Sequence, residues 1–379
     1  MFAGVGLLAL ACAWFTALRN RANLQDPLIA RIEAQGGGVW FERWGPRWFD
    51  LFGADRYRRR IVGAKLCAGD TGIGEEIDEG VDEGVDEILR PLADLPGLTF
   101  LLLECNEVGP TMAAALSGMK QLRFLRLKGD LSDESVVPLS GLTGLQVLDL
   151  HGTRVTDGGL ANLAGLENLE ALDLADTVVL GHGLGHLAKL EKLRVLDLSN
   201  CKIAYSTLAN LPPLPRLEAL DLSGAMLNND ELCSVAVLPL LKTLDITSTL
   251  ITPDGLLALA AFQSIEELRI DNEVVSAESL ESLLAVGRLR ILHIDPAPFR
   301  TQLYRIEETT SLPLENDDHI VVWETEFDDC CRALEALRRG KPGLVIDNGQ
   351  THVDELHRWR KWQLDESPVP ADREWQPTW

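Results

Sequence analysis

The chain has 379 residues, of which 46% are hydrophobic, and a formal charge of -23 at pH 7. That is ample apolar material for a core, and the acidic balance argues against nucleic acid as the main partner, because phosphate recognition needs clustered Lys and Arg. Seven cysteines (Cys12, Cys67, Cys105, Cys201, Cys233, Cys330 and Cys331) are odd in number and share no spacing, so they imply neither a disulfide framework nor a zinc site.

Residues 2–18 are uncharged and apolar, and Arg19 and Arg21 close the run. Seventeen residues is near the lower limit for a spanning helix, which needs about 20. The expectation is a membrane anchor, one N-terminal segment with the side of the membrane left open. A cleaved signal peptide would need a basic start, which this segment lacks. A lipoprotein signal ending at Cys12 lacks it too.

Residues 19–60 read as an N-terminal cap. Asp26 can cap a helix with Pro27 at its first position. Leu28, Ile29 and Ile32 share one face, Gly36–Gly38 end it, and Val39–Phe41 reads as a strand. All nine tryptophans of the chain lie outside the repeats described next, as sealing of the ends requires.

The repeats run from 61 to 296 and contain an acidic insertion at 70–90. Ile61, Ala64 and Leu66 form a first, imperfect strand. Between Lys65 and Arg90 stand nine acids and no base. No EF-hand order of ligands is present, and Ile77, Val81, Val85 and Ile88 fall at helical spacing, so an acidic amphipathic helix is expected rather than a calcium loop.

From there one phrase recurs. Its anchors are Leu98, Leu122, Leu145, Leu169, Leu193, Leu217, Leu241, Ile265 and Leu289, at steps of 24 residues with a single step of 23. Alternating apolar residues such as Leu148 and Leu150 around Asp149 make a short strand with one buried face. Val155, Leu160, Leu163 and Leu166 then supply a second apolar set at near-helical spacing. One such coil cannot bury its own apolar face, but stacked coils can. A fixed period in the twenties with LxxLxL is the signature of leucine-rich repeats. The form LxxLDLxxTxVTDxGLxxLxxL, best kept from Leu145 to Leu166, resembles the leucine-rich repeat proteins of planctomycete-type bacteria. Gly181, Tyr205 and Asn229 stand where the best copy has Asp157. The resemblance implies an α/β solenoid: a horseshoe with a parallel β-sheet on the concave face, short helices or turns on the convex face, and caps at both ends. It implies a binding scaffold and no named reaction.

In such a fold the residue between the two strand leucines is expected to face solvent on the concave side. That column reads Leu102, Arg126, Asp149, Asp173, Asp197, Asp221, Asp245, Arg269 and His293. Two residues on, it reads Glu104, Lys128, His151, Ala175, Ser199, Ser223, Thr247, Asp271 and Asp295. Strands lie about 4.8 Å apart, and like charges at that distance repel by about 1 kcal/mol even in bulk water. Five carboxylates in a row therefore suggest a groove for a basic peptide or protein. The expected partner surface is Asp149, Asp173, Asp197, Asp221 and Asp245 with Arg126, Lys128, His151, Arg269 and His293. The plain alternative is that LDL is ordinary repeat sequence at a solvated surface.

Catalytic and metal-ligating signals are lacking. His182 and His186 sit at i, i+4 with no HExxH context, and no GxSxG elbow or Cys–His arrangement stands out. Cys201 occupies the turn position of Thr153, Thr177 and Thr249, as a buried residue would. Thr156, Asn228, Thr252 and Ser276 read as helix caps.

After Ile294 the period fails. Residues 297–350 read as a C-terminal cap with a strand at 319–324, a helix from Thr325 to Arg339, and a last strand at 344–346. Residues 351–379 form a tail rich in Trp and charge, expected to be partly disordered. The expectation is a non-enzymatic, monomeric, membrane-tethered scaffold that binds a protein or peptide and uses no cofactor or metal. The alternatives are a substrate adaptor or ubiquitin-ligase-like effector, and a structural envelope protein.

Overall fold

A computed structural model describes residues 25–43, 59–67, 83–95, 97–105, 108–203, 205–236, 238–262, 264–271, 274–295, 337, 339–341 and 344–347. The chain divides into two compact units, residues 1–154 with 362–379, and residues 155–361.

In the first unit a helix over residues 25–34 leads into β1 (Gly38–Arg43). β1 pairs antiparallel with β2 (Arg59–Cys67). Parallel pairing then runs from β2 through β3 (Phe100–Glu104) and β4 (Phe124–Lys128) to β5 (Val147–Asp149). Ala64, Leu101, Leu125 and Leu148 share one register position and are fully buried. On the other face the Trp40 ring stands edge-on to Phe100 at 5.0 Å, and Phe100 stacks on Phe124 at 4.4 Å. Gly63 makes this possible, since a Cβ there would stand 2.9 Å from both the Phe100 and the Trp40 rings. The helix Glu83–Ala93 buries Val85, Ile88, Leu89 and Leu92, and its Glu87 pairs with Arg31. Ile77 and Val81 of the expected acidic helix lie outside the described residues.

In the second unit the strands are β6 (Ala171–Asp173), β7 (Val195–Asp197), β8 (Ala219–Asp221), β9 (Thr243–Asp245), β10 (Glu267–Asp271), β11 (Ile291–Asp295) and β12 (Val345–Asp347). Each pairs parallel with the next. The anchor leucines Leu169, Leu193, Leu217 and Leu241 and the strand leucines Leu172, Leu196, Leu220 and Leu244 are fully buried. Each is worth roughly 1.5–3 kcal/mol of burial.

The second apolar set is less regular than its spacing suggests. Asp157–Leu163, Asn229–Val235 and Ala277–Ser282 are α-helical, whereas Leu184–Lys189, Leu208–Asn210 and Pro253–Ala261 are 3₁₀. The segment at Leu208 stops after three residues, just before Pro212 and Pro213, which cannot continue a helical ladder. Thr156 and Asn228 cap their helices with the side chain, and Ser276 joins a capping box with Ser279. Thr252 differs from expectation: it makes no side-chain cap, and its hydroxyl instead accepts from Asn229 Nδ2 at 2.8 Å.

Polar contacts tie each coil to the next. Asp157 accepts from the backbone N–H groups of Leu180, Gly181 and Gly183 at 3.0, 3.0 and 2.6 Å. Asn229, the later counterpart of Asp157, accepts from Thr252 N–H at 3.0 Å. Glu231 closes a capping box with Asn228 and reaches back to Ser206 N–H at 2.6 Å. After β6, β7, β8 and β9 a single residue turns left-handed. In order these are Asp176, Asn200, Gly224 and Ser248, with φ of 55°, 56°, 72° and 57°. Gly, Asn and Asp are the residues that enter this region at least cost.

The expected N-terminal membrane anchor requires correction. Among the described residues no helix is long and apolar enough to cross a membrane. The 17-residue apolar run on which that expectation fell is shorter than the roughly 20 residues a span needs, and it lies outside the described residues. The strand expected at 319–324 and the start of the helix expected at Thr325 also lie outside them. Residues 337, 339 and 340 are helical, and Leu337 is buried.

Candidate interaction surface

The side chains that leave a strand opposite its leucines form columns across the sheet. In the second unit the register aligns Asp173, Asp197, Asp221, Asp245, Arg269 and His293. The column read from sequence is thus in place, but its setting is corrected. Asp173, Asp197, Asp221 and Asp245 are not solvated: none is more than 6% exposed.

Local backbone geometry explains part of this. Each strand ends at its aspartate, and the carboxylate folds onto the chain two residues on. Asp173 Oδ1 accepts from Ala175 N–H at 2.8 Å, Asp197 Oδ1 from Ser199 N–H at 2.9 Å, and Asp221 Oδ1 from Ser223 N–H at 2.8 Å. Asp245 Oδ1 accepts from Thr247 N–H at 3.0 Å and from its hydroxyl at 2.7 Å. A buried N–H without an acceptor costs about 1–3 kcal/mol, so these contacts stabilise the strand-to-turn junction.

At the far end of the column the polar side chains pair. Arg269 Nε lies 3.2 Å from Asp245 Oδ2. His293 is buried, and its Nε2 is 2.8 Å from Glu267 Oε1.

In the first unit Arg126 binds Asp149 through Nε, and Asp149 Oδ1 accepts from His151 N–H at 3.0 Å. Lys128 is exposed and stands 3.7 Å from Glu104, while the His151 side chain is exposed. The ten expected surface residues therefore divide four to the first unit (Arg126, Lys128, Asp149, His151) and six to the second.

A second charged column went unnoticed in the sequence. One residue before each strand stand Glu170, Arg194, Glu218, Lys242, Glu266 and Arg290, alternating in sign. Glu218 binds Arg194 at 2.9 Å and Lys242 at 2.7 Å. Burial alone would push its carboxyl up, but the Lys242 ammonium and Arg194 guanidinium hold it below the usual carboxylate range. The alternation is legible in the sequence at the residue that follows each anchor.

Cys201 is buried, and its thiol donates to Leu174 O at 3.0 Å. Burial pushes it up to about 11, and Asp197 and Asp173 add to the rise, so it is a packed thiol and no nucleophile. Thr177 and Thr249 use the same turn position to donate to the carbonyls of Leu174 and Ile246, at 2.6 and 2.7 Å. His182 and His186 are both exposed. Among the described residues no group of three or more His, Cys, Asp or Glu is arranged to hold a metal.

Comparison with known proteins agrees with the architecture. Two family profiles match, both described as leucine-rich repeat, over residues 192–214 and 237–260. Similar solved structures include the mouse RP105/MD-1 complex, at 20% identity over 60% of this chain and 44% of that one, with a TM-score of 0.38. An internalin C2 from Listeria monocytogenes is similar at 23% identity over 55% of this chain and 80% of that one, with a TM-score of 0.34. The TLR13–ssRNA13 complex is similar at 18% identity over 54% of this chain and 40% of that one, with a TM-score of 0.33. The chain thus spans under half the length of the RP105 and TLR13 chains it matches. No curated protein matches it. The parallel strands, the buried LxxLxL leucines and the short helices and 3₁₀ turns define a leucine-rich repeat solenoid of the α/β class.

Proposed function

We propose that this leucine-rich repeat protein, of the planctomycete-type form its 24-residue phrase suggests, is a non-enzymatic interaction scaffold. Its sheet face in the second unit takes a basic segment of a protein partner, with Asp173, Asp197 and Asp221 as the principal contacts and Asp245, Arg269 and His293 beside them; Arg126, Lys128, Asp149 and His151 belong to the first unit. One observation carries this. Capping the N–H two residues on requires one acceptor oxygen, which Asn supplies without charge. The chain instead keeps a full carboxylate in strand after strand. In the neighbouring column the same coils alternate sign and pair Glu218 with Arg194 and Lys242. Like charge at Asp173, Asp197 and Asp221, beside a column that alternates in sign, is the pattern that a basic segment complements. The small residues beside the column, Ala171, Val195 and Ala219 on one side and Ala175 and Ser199 on the other, leave room for larger side chains.

The test is fluorescence anisotropy of a labelled hexa-arginine peptide against the chain and against its D173N/D197N/D221N variant. Binding at low salt that falls at least tenfold in the variant supports the proposal. Equal binding by both proteins would sink it.

A further inference from the structure

The second unit also carries an apolar surface beside the sheet. Among its described residues seven large apolar side chains are exposed, and five of them, Val178, Leu180, Tyr205, Met226 and Leu250, stand in the segments that lead from a strand to the next helix or 3₁₀ turn. Val178, Lys202, Met226 and Leu250 each lie five residues after a strand aspartate, so the position recurs once per coil. The residues on either side of it face the core: Thr177 and Val179, Cys201 and Ile203, and Ala225 and Leu227 are all buried. The position itself therefore faces out. The backbone keeps successive copies in line, with Val178 N–H on Val155 O at 3.0 Å and Leu250 N–H on Leu227 O at 2.9 Å. Folding does not ask for an apolar residue here. In the first unit the same position holds Arg154, which pairs with Asp130 at 3.1 Å. Valine, methionine and leucine left in water at a place that accepts arginine mark a contact surface.

We propose that this surface takes an amphipathic helix of another protein, one with an aliphatic face flanked by Lys or Arg. It is separate from the aspartate column and does not rest on it. Charge selects the occupant. Four residues further along each coil stand His182, Ser206, Asp230 and Asp254, and two residues before Val178 stands Asp176. The surface thus carries three exposed acids, Asp176, Asp230 and Asp254, and one exposed base, Lys202. A second copy of this chain would set those acids against the same acids, whereas a basic helix complements them. Spacing agrees. An apolar helix face presents a side chain every third or fourth residue, about 5–6 Å apart, close to the roughly 4.8 Å between strands. Successive leucines of such a helix can therefore follow the row from Val178 over the Lys202 stem to Met226 and Leu250.

The experiment uses the full chain and the fluorescence anisotropy of a labelled amphipathic peptide, LKKLLKLLKKLLKL, with the same peptide carrying serine for leucine as a charge-matched control. The parent is expected to bind the leucine peptide about tenfold tighter than the control, and M226S/L250S to remove that difference, as loss of two anchor side chains should. The thermal melt and any hexa-arginine binding stay unchanged in that variant, and D230N/D254N weakens the leucine peptide most at low salt. Equal binding of both peptides by the parent, or no binding of either, overturns the proposal. If D173N/D197N/D221N abolishes binding of the leucine peptide and M226S/L250S does not, the peptide sits on the sheet face, and this proposal fails while the aspartate reading stands. If M226S/L250S converts a dimer to a monomer in sedimentation, the surface is covered by a second copy and the proposal fails as well.

Discussion

The contact between Asp197 and Ser199 gives the sharpest quantitative test. Replacing Asp197 with Ala removes the carboxylate that accepts from the buried Ser199 N–H just after β7. The expected cost is about 1–3 kcal/mol. At roughly 2–4 °C per kcal/mol for a unit of this size, Tm falls by several degrees. Asp197→Asn keeps an oxygen in the same place. It gives up the charge-assisted part of the bond, about 1 kcal/mol. It also relieves repulsion from Asp173 and Asp221, each about 4.8 Å away, at about 1 kcal/mol apiece with the dielectric of water. D197N should therefore lie within about 1 kcal/mol of the parent. Thermal melts followed by circular dichroism, with urea midpoints as a second measure, separate the two variants. An alanine variant as stable as the asparagine one would show that the carboxylate does not hold the strand end.

Two further outcomes are expected. With its thiol pushed up to about 11, Cys201 is about one part in a thousand thiolate at pH 8, and it is buried, whereas Cys233 is exposed. Iodoacetamide at pH 8 should alkylate Cys233 in the folded chain and Cys201 only after denaturation, as peptide mass spectrometry would reveal; prompt labelling of Cys201 would contradict its packing. Glu218 is held below its ordinary 4.5 in the folded state, so its contribution is present above that value and is lost as pH falls through the folded one. E218Q should accordingly destabilise at pH 7, with a deficit that shrinks as the pH is lowered below 4.5, and a deficit unchanged by pH would mean that the ion pairs contribute nothing.

The fold was largely legible because a leucine must recur wherever a coil stacks on its neighbour. Leu172, Leu196, Leu220 and Leu244 are buried as the period requires. The register of the aspartate column followed from the same count. Its burial did not, since strand alternation says which way a side chain leaves the sheet and nothing about what lies over it or whether it folds back on its own backbone. The left-handed residues were hidden for a different reason. Gly224 is a recognisable signal, but Ser248 holds φ 57° with its N–H given to Asp271 at 2.6 Å, a contact made by the next coil. Glu231 looked like an ordinary acid in a first turn, because its second partner, Ser206, lies in the coil before it. The membrane expectation rested on hydropathy alone, at a length where hydropathy is weakest.

The bonds from Asp157 to the Leu180–Gly183 backbone, from Asn229 to Thr252, and from Glu231 to Ser206 all span one period. Order is therefore passed between nearest neighbours, much as in a row of coupled spins. A lesion in one coil is felt most by the two beside it and fades with distance along the row. Loss of structure then moves as a boundary from a free end inward, and the energy of a coil depends on whether its neighbours are already in place. For a column made of one side chain per strand, this means that the spacing of the carboxylates is set collectively.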